Sequence, residues 1–592
     1  MVPVKFYTEK KEKYTAFHSK VSSVAKRFAW YRFLAFLLIF IPLFIFGFNW
    51  PGIVSGLFFL LLFLFLVKKN IHYEKQREKY AALKKLAENE LLALQHEFGH
   101  FENGKEFLDT DHFFSYDLDL FGDGSLYQFL NRTVTQNGRQ NLANWLRNPP
   151  FQKNEILDRQ QSIQELAQMP EWRLNFLADG LLFNETKQLN DEVNSWSQKE
   201  LELKGAGRIK WMVIIIPAIT LLSIVPAALG ITNLPLYFMV FLQWAIAGAF
   251  WKKTGFFYLF FGRKSALFEK YVQLLASIEG QEFKSGYLKK IKQKVTQPET
   301  ASHLFNQLKK RMGELEYRQN LVVGILLNSL FLWDLRCVYR LWKWHSDNQS
   351  KLANWLDAIA ETDALISLAN NANNHPNFIF PDISEDDFTF HAENIGHPLL
   401  LPEKRIDNDV SINGWSKVMI VTGANMAGKS TFLRTVGVNF VLARTGSPVC
   451  ADKLIFTPVE IYTNMRTTDS LLKDESYFFA ELKRIKGVLD KLEQGEKIFV
   501  ILDEMLKGTN SVDKLNGSRE LIRKLLKLSA VSLIATHDLK LSELESQYPQ
   551  QIFNKCFEIR IENNELVFDY KLSNGVTKTM NATFLMKKMG II

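Results

Sequence analysis

The chain has 592 residues, a net charge of +9 and 48 phenylalanines, a length that holds three or more domains. Its three cysteines, Cys337, Cys450 and Cys556, lie far apart with no C-x-x-C pair, which argues against a disulfide scaffold or a cysteine zinc site and for a reducing cytosol around the soluble parts. The mildly basic balance suits nucleic acid or an anionic membrane surface and does not choose between them.

Residues 1–32 are mostly polar and read as a cytoplasmic tail, too long before the first apolar run and without the small-residue cleavage site of a signal peptide. Phe33–Asn49 and Gly52–Val67 carry no charged side chain and flank the turn Trp50-Pro51. They are expected to form a first transmembrane hairpin over 33–68, each arm near the lower end of the ~17–25 residues a bilayer needs. A charged helical connector follows over 69–114. Residues 115–210 begin a helical unit, in which Leu126, Phe129 and Leu130, then Leu142, Trp145 and Leu146, are spaced as two apolar helix faces; these are core residues, not chemistry. Met212–Leu229 and Leu236–Trp251, also uncharged, predict a second hairpin over 211–251. Lys26, Arg27, Arg32, Lys68 and Lys69 flank the first hairpin, and Lys204, Arg208, Lys210, Lys252 and Lys253 the second, while the turns carry no Lys or Arg. Positive charge stays on the cytoplasmic side, so a multi-pass protein of the cell (inner or plasma) membrane is expected, with every soluble part cytoplasmic.

Residues 252–375 complete the helical unit. Lys284, Lys289, Lys290, Lys292, Lys294, Lys309, Lys310 and Arg311 cluster there, as a solvated or lipid-attracted face or as a phosphate-contacting patch with steep salt dependence. The apolar run Leu321–Trp333 contains Asn328 and Ser329 and is expected to pack inside the helical unit. Pro376 and Pro381 mark a linker.

The last unit, 385–592, carries the chemistry. Gly423, Ala424, Asn425, Met426, Ala427, Gly428, Lys429, Ser430 and Thr431 fit a phosphate loop, with an apolar β-branched run (Val418–Val421) before it and a helix-compatible run (Phe432–Val436) after. Backbone N–H groups and a helix N-terminus would hold a polyphosphate, Lys429 would reach the β/γ-phosphates, and the Ser430 hydroxyl would ligate Mg²⁺. Downstream, KIFVILDE ends a buried strand in two carboxylates. Asp503 is placed as a second Mg²⁺ ligand and Glu504 as the group that orients and deprotonates the attacking water. A third strand ends in Thr536-His537, where the imidazole can reach the γ-phosphate. Ser476 opens a helix whose apolar positions include Phe478, Leu482, Ile485, Leu489 and Leu492. It is an N-cap hydroxyl, or an anion site that reaches the nucleotide of a facing subunit.

Taken together these motifs resemble the ATPase domain of the MutS mismatch-repair family, whose loop reads TGPNMGGKST where this chain has TGANMAGKST. The family's S-T-F-x-x-E element corresponds to Ser476–Glu481, its DE-x-x-x-GT to Asp503–Thr509, its TH to Thr536-His537, and its HP and ND pairs to His397-Pro398 and Asn408-Asp409. Two departures stand out. Pro and Gly of the family loop are Ala424 and Ala427, and the family's adenine-stacking aromatic falls on Arg405, a residue that can itself stack on a base. Upstream, residues 124–150 are similar to the opening of the family's helical core domain. The resemblance implies an α/β ABC-type P-loop ATPase domain plus an all-α MutS-like core/lever domain, here with four transmembrane helices in two hairpins. It implies ATP and Mg²⁺ as ligands, a homodimer in which Ser476 completes the partner's site, and binding of mismatched or branched DNA. The family's mismatch-reading Phe-x-Glu is absent, since Phe98 is followed by Gly99 and His100. A membrane tether or signalling ATPase without DNA is the alternative. An ABC-type transporter fits less well, having neither an LSGGQ-like signature nor polar groups in its spans.

Overall fold

The computed structural model describes residues 3–578 except 48, 263, 386, 425, 467–476 and 563–564. Two of the expected site residues, Asn425 and Ser476, lie outside the described residues.

The N-terminal region is built from two helices, Pro3–Phe46 and Trp50–Ala93, each 44 residues long and packed antiparallel. The polar tail and the charged connector are thus continuous with the apolar arms. No glycine or proline interrupts the chain where apolar gives way to charged sequence, so the helical period carries through while hydropathy changes. The apolar halves expose Phe33, Phe40, Phe58 and Leu61. The polar halves dock on the helical unit. Glu90, 2% exposed, accepts from Arg132 Nε at 2.6 Å and from Asn374 Nδ2 at 2.7 Å, and the Tyr7 hydroxyl donates to Asn374 Oδ1 at 3.0 Å.

The helical unit is assembled from short helices between Leu126 and Trp196, a second set between Ser265 and Glu316, and the 42-residue helix Trp333–Asn374 that packs against both. Leu126, Phe129, Leu130, Leu142, Trp145 and Leu146 are all buried in its core. Asp363 on the long helix accepts from the Val134 and Thr135 amides and from the Thr135 hydroxyl (2.7 Å), closing the N-terminus of the helix Gln136–Arg147. Gly138 has no alternative in this turn, because a Cβ there would stand 2.2 Å from Asp363 Oδ2. Burial raises the Asp363 carboxyl to about 6 against an ordinary 3.8, in spite of its hydrogen bonds. The folded state therefore holds this proton more tightly than the unfolded chain. Its stabilisation is complete below pH 4 and is lost as pH rises through 6, a swing of about 3 kcal/mol. Asp363→Asn is expected to remove this dependence. The difference in thermal stability between variant and wild type, followed in detergent from pH 4 to 7, should shift in the variant's favour by a few degrees.

Between Trp196 and Ser265 lie Ala206–Ala228, Leu234–Ala249 and Trp251–Phe261. Four spans in two hairpins were expected, and the structure divides the apolar sequence differently. Among the described residues three helices are long and apolar enough to cross a membrane: Pro3–Phe46, Trp50–Ala93 and Ala206–Ala228. Leu234–Ala249 is shorter and reaches that apolarity with Trp251–Phe261 across a 61° bend, and Leu321–Phe331 does so with the long helix across an 81° bend. Leu321–Phe331 is also not enclosed by the helical unit, for Leu321 is 76% exposed.

The C-terminal unit is α/β. Its six-stranded sheet runs Glu565–Asn574, Ile552–Glu562, Lys417–Gly423, Val531–Thr536, Ile498–Asp503, Glu460–Asn464, with all neighbours parallel except the first pair. Apolar strands such as Val418–Val421 and Phe499–Leu502 are buried on both faces, as parallel sheets require. A four-stranded sheet, in the order Asp382–Ile383, Lys453–Phe456, Thr389–Ile395, Asn408–Asn413, adjoins it.

Candidate nucleotide site

Three neighbouring parallel strands end at Gly423, Asp503 and Thr536. Their carboxyl ends are where a sheet of this type opens to ligands, and they bring together residues that the sequence scatters over more than a hundred positions. The loop after Gly423 leads into the helix Lys429–Thr445. Its left-handed residues are Met426 (φ 66°) and Gly428 (φ 103°). Neither Ala424 nor Ala427 occupies that region, so the two alanines that depart from the family loop are accommodated without backbone strain.

Lys429, 5% exposed, is folded onto the loop, with Nζ donating to the Gly423 and Ala424 carbonyls at 2.7 and 2.9 Å and standing 3.3 Å from His537 Nδ1. Burial lowers its ammonium to about 8. The Ser430 hydroxyl donates to Asp503 Oδ2 at 2.5 Å. These are two hard oxygen donors side by side, the set that Mg²⁺ prefers, and among the described residues no cluster of three or more His, Cys, Asp or Glu offers a softer metal a site.

Glu504 follows Asp503 in a left-handed conformation (φ 53°), its N–H bonded to the Ala535 carbonyl at 2.9 Å. Non-glycine residues hold such angles where the surroundings impose them, as at functional sites. Its carboxylate meets His537 Nε2 and lies 3.7 Å from Lys507 Nζ. The His537 hydrogen bond, opposed in part by burial, holds this carboxyl down at about 2. His537 Nδ1 is given to the Gly423 carbonyl at 2.9 Å. Of the residues expected to act together, Lys429, His537 and Glu504 form one chain of contacts and Ser430 and Asp503 a second pair at the same strand ends. Thr431, exposed at the start of the helix, lies on the wall of the adjoining cavity.

A cavity of about 440 Å³ adjoins the loop, lined by Met426–Thr431 on one side and by Ile395, Leu400, Ile406, Phe557 and Tyr570 on the other. Arg405, which falls on the family's base-stacking position, is not among its walls. Its guanidinium makes two bonds to Asp407, at 2.7 and 3.2 Å. The aromatic walls of the cavity are Phe432, Phe557 and Tyr570; Tyr570 is carried by the antiparallel edge strand and lies in contact range of Gly428, where a Cβ would stand 3.0 Å from its ring. No local pattern marks Tyr570, because sheet register brings it there.

Two further groups have roles that the sequence reading did not assign, Glu481 being named there only as part of a motif. Glu481, 2% exposed, accepts from the Leu506 and Lys507 amides at 2.7 and 3.2 Å and so fixes the turn that follows Glu504. Asp117, fully buried, accepts from the Thr463 hydroxyl (2.7 Å), the Arg466 amide (2.9 Å) and the Arg484 guanidinium (3.3 Å), while Asp119 pairs with Arg466. Arg434 of the loop helix also donates to the Asp117 carbonyl at 3.1 Å. These contacts tie the start of the helical unit to the α/β unit beside the site. In the basic stretch, Lys290, Lys292, Lys294 and Lys309 are paired with Asp158, Glu282, Glu361 and Glu269, which weakens its field for an anionic ligand.

Comparison with known proteins gives two family matches, MutS domain V over residues 419–587 and MutS domain III over residues 111–195. The DNA mismatch repair protein MutS of Thermotoga maritima is 32% identical over 236 residues, 39% of this chain and 29% of that protein. MutS protein homolog 4 of Mus musculus is 27% identical over 319 residues, 52% of this chain and 31% of its own length. MutS of Fusobacterium nucleatum is 29% identical over 239 residues, 39% and 26% respectively. The chain thus spans less than a third of the length of these relatives. Through a helical region and the region that holds the loop Gly423–Thr431, the matches support a relationship of this chain to the MutS family.

Proposed function

We propose that this protein is a membrane-anchored ATPase of the MutS type, which binds and hydrolyses Mg-ATP in a site completed by a second copy of the chain. The observation that carries the reading is the convergence of Lys429, the Ser430–Asp503 pair, Glu504 and His537 around one loop at the carboxyl ends of three parallel strands. Lys429 takes the β/γ-phosphates in exchange for the loop carbonyls it now holds. Ser430 and Asp503 would hold Mg²⁺, which when bound supplies charge neutralisation to the phosphates. His537 moves from Glu504 to the γ-phosphate, and the freed carboxylate accepts the proton of the attacking water. Ser476 of a facing copy closes the site. The helical unit follows the change through the Asp117 and Asp119 contacts with Arg434, Arg466 and Arg484.

The exposed apolar helices with basic outer flanks anchor the chain in the cell membrane and leave the tail, the helical unit (115–210 and 252–375) and the ATPase unit (385–592) cytoplasmic. Mismatched or branched DNA is the coupled ligand by analogy with relatives named for mismatch repair. The pairing of four lysines of the basic stretch with carboxylates favours a second reading, a membrane tether or signalling ATPase without DNA. ATP turnover of the full chain in detergent or vesicles, with homoduplex, mismatched and branched DNA at several salt concentrations, separates the two. The DNA reading requires stimulation that falls steeply with salt; turnover indifferent to every DNA leaves the tether, and absence of any Mg-dependent turnover refutes both.

A further inference from the structure

The helix Leu321–Phe331 leaves apolar side chains bare: Leu321, Val322 and Leu326 are 76%, 65% and 57% exposed, and the same helix packs against Ala206–Ala228 and Leu234–Ala249. The polar atoms of this contact are bonded to one another. Trp244 Nε1 donates to Ser329 Oγ (2.9 Å), the Leu332 amide to Gln243 Oε1 (2.8 Å), and Gln243 Nε2 to Thr220 Oγ1 (2.6 Å). Gln243 has no exposed surface. Such closure is what hydrocarbon demands of polar groups and what water does not. Eleven residues rise about 16 Å, roughly half of a ~30 Å hydrocarbon core, so this helix cannot cross. Its flanking charges fall at one level. Arg318 and Asp334 stand 3.6 Å apart, and the Arg318 guanidinium lies 5.1 Å from the ring of Trp251, a residue type and a cation that suit a membrane interface. At Leu332 (φ 46°) the chain bends by 81° into the long helix.

We propose that Leu321–Phe331 is a re-entrant helix, inserted in one leaflet beside the second apolar hairpin, with its Leu321, Val322 and Leu326 face against lipid acyl chains. This rests on the membrane reading above and adds to it a lipid-facing element within the helical unit's own chain. It seats one end of Trp333–Asn374 in the bilayer, while Asn371 and Asn374 at the other end meet Ser447 and Glu90. The bilayer thereby bears on the rod that packs between the helical and ATPase units.

Depth-dependent quenching tests this on the full chain in phosphatidylcholine–phosphatidylglycerol vesicles. An environment-sensitive fluorophore is placed at Leu326→Cys and, separately, at Val322→Cys, with Phe58→Cys in the first hairpin and Lys290→Cys on the exposed helical face as references. The three native cysteines are buried, and the wild-type chain carried through labelling is the blank. The expected result is quenching at 326 and 322 by nitroxide-bearing lipid several-fold stronger than by aqueous iodide, as at 58 and opposite to 290. Iodide quenching at both positions, or quenching by neither reagent because protein covers the face, overturns the re-entrant helix if position 58 still follows the lipid reagent. If position 58 itself follows iodide, the membrane reading falls and this inference with it.

Discussion

Glu504→Gln lowers ATP turnover by about 10²-fold or more and leaves nucleotide binding intact. In the proposed mechanism Asp503 is taken up by Mg²⁺ and the Glu504 carboxylate is the group that accepts the proton, which the amide cannot do. Its placement is imposed by the backbone, through the left-handed angle at Glu504, the bond of its N–H to Ala535 and the Glu481 clamp on the next two amides. None of these uses the Glu504 side chain, so the substitution leaves the turn standing. His537 holds the Glu504 carboxyl down at about 2 while the two are bonded; once His537 has moved to the phosphate the carboxyl returns toward the ordinary carboxylate range, which still leaves it ionised above pH 6. In both states the carboxyl loses its proton below neutrality, so the ratio of wild-type to variant rate should stay flat from pH 6 to 9. Single-turnover phosphate release measures the rate. Light scattering on the detergent-solubilised chain with Mg-ATP should show the variant accumulating as a dimer, since the closed state no longer decays. Wild-type turnover in the variant would remove Glu504 from the chemistry.

What could be read from sequence here is what is contiguous. A phosphate loop, a strand ending in DE and a strand ending in TH each state their chemistry within ten residues, and parallel pairing brings them together without further information. Glu481, Asp117 and Tyr570 act across elements. Glu481 clamps a turn 25 positions away, Asp117 reaches a strand and a helix of another unit, and Tyr570 arrives by edge-strand register, so no local window contains their partners. Arg405 is likewise settled across residues: it falls on the family's aromatic position, and its guanidinium is bonded to Asp407 two residues on. Among the apolar segments, hydropathy located the runs but not the helices. Charge replaces Leu and Phe along Pro3–Phe46 and Trp50–Ala93 without breaking the helical period, so tail, arm and connector are two helices and not four pieces. Leu321–Phe331 read as core because eleven apolar residues with an Asn and a Ser look alike in a protein interior and in a leaflet. Only exposure tells them apart.

Lys429→Ala abolishes useful nucleotide binding. Losing one partner of a desolvated charge pair costs about 2–5 kcal/mol, or roughly 30- to several-thousand-fold in affinity. Lys429 has the features that place its loss in the upper part of that range. It is 5% exposed, and among the described residues its hydrogen-bonding neighbours are two loop carbonyls and the ring of His537, with the Asp503 and Glu504 carboxylates acting on it from further off. A polyphosphate entering the loop meets a cation that needs no further desolvation, so little of the attraction is lost to rearrangement. In the variant the Gly423 and Ala424 carbonyls lose their donor, and an anion would face them without compensation. Position 429 opens the helix Lys429–Thr445 and alanine is the strongest helix former, so the fold is retained and a thermal scan of the variant should remain within a few degrees of wild type. Lys429→Arg keeps the charge but puts a planar fork where a point charge fits between two carbonyls, and it is expected to bind weakly too. Calorimetric titration with Mg-ATP reads all three proteins, and wild-type affinity in the alanine variant would mean that the triphosphate is held somewhere other than this loop.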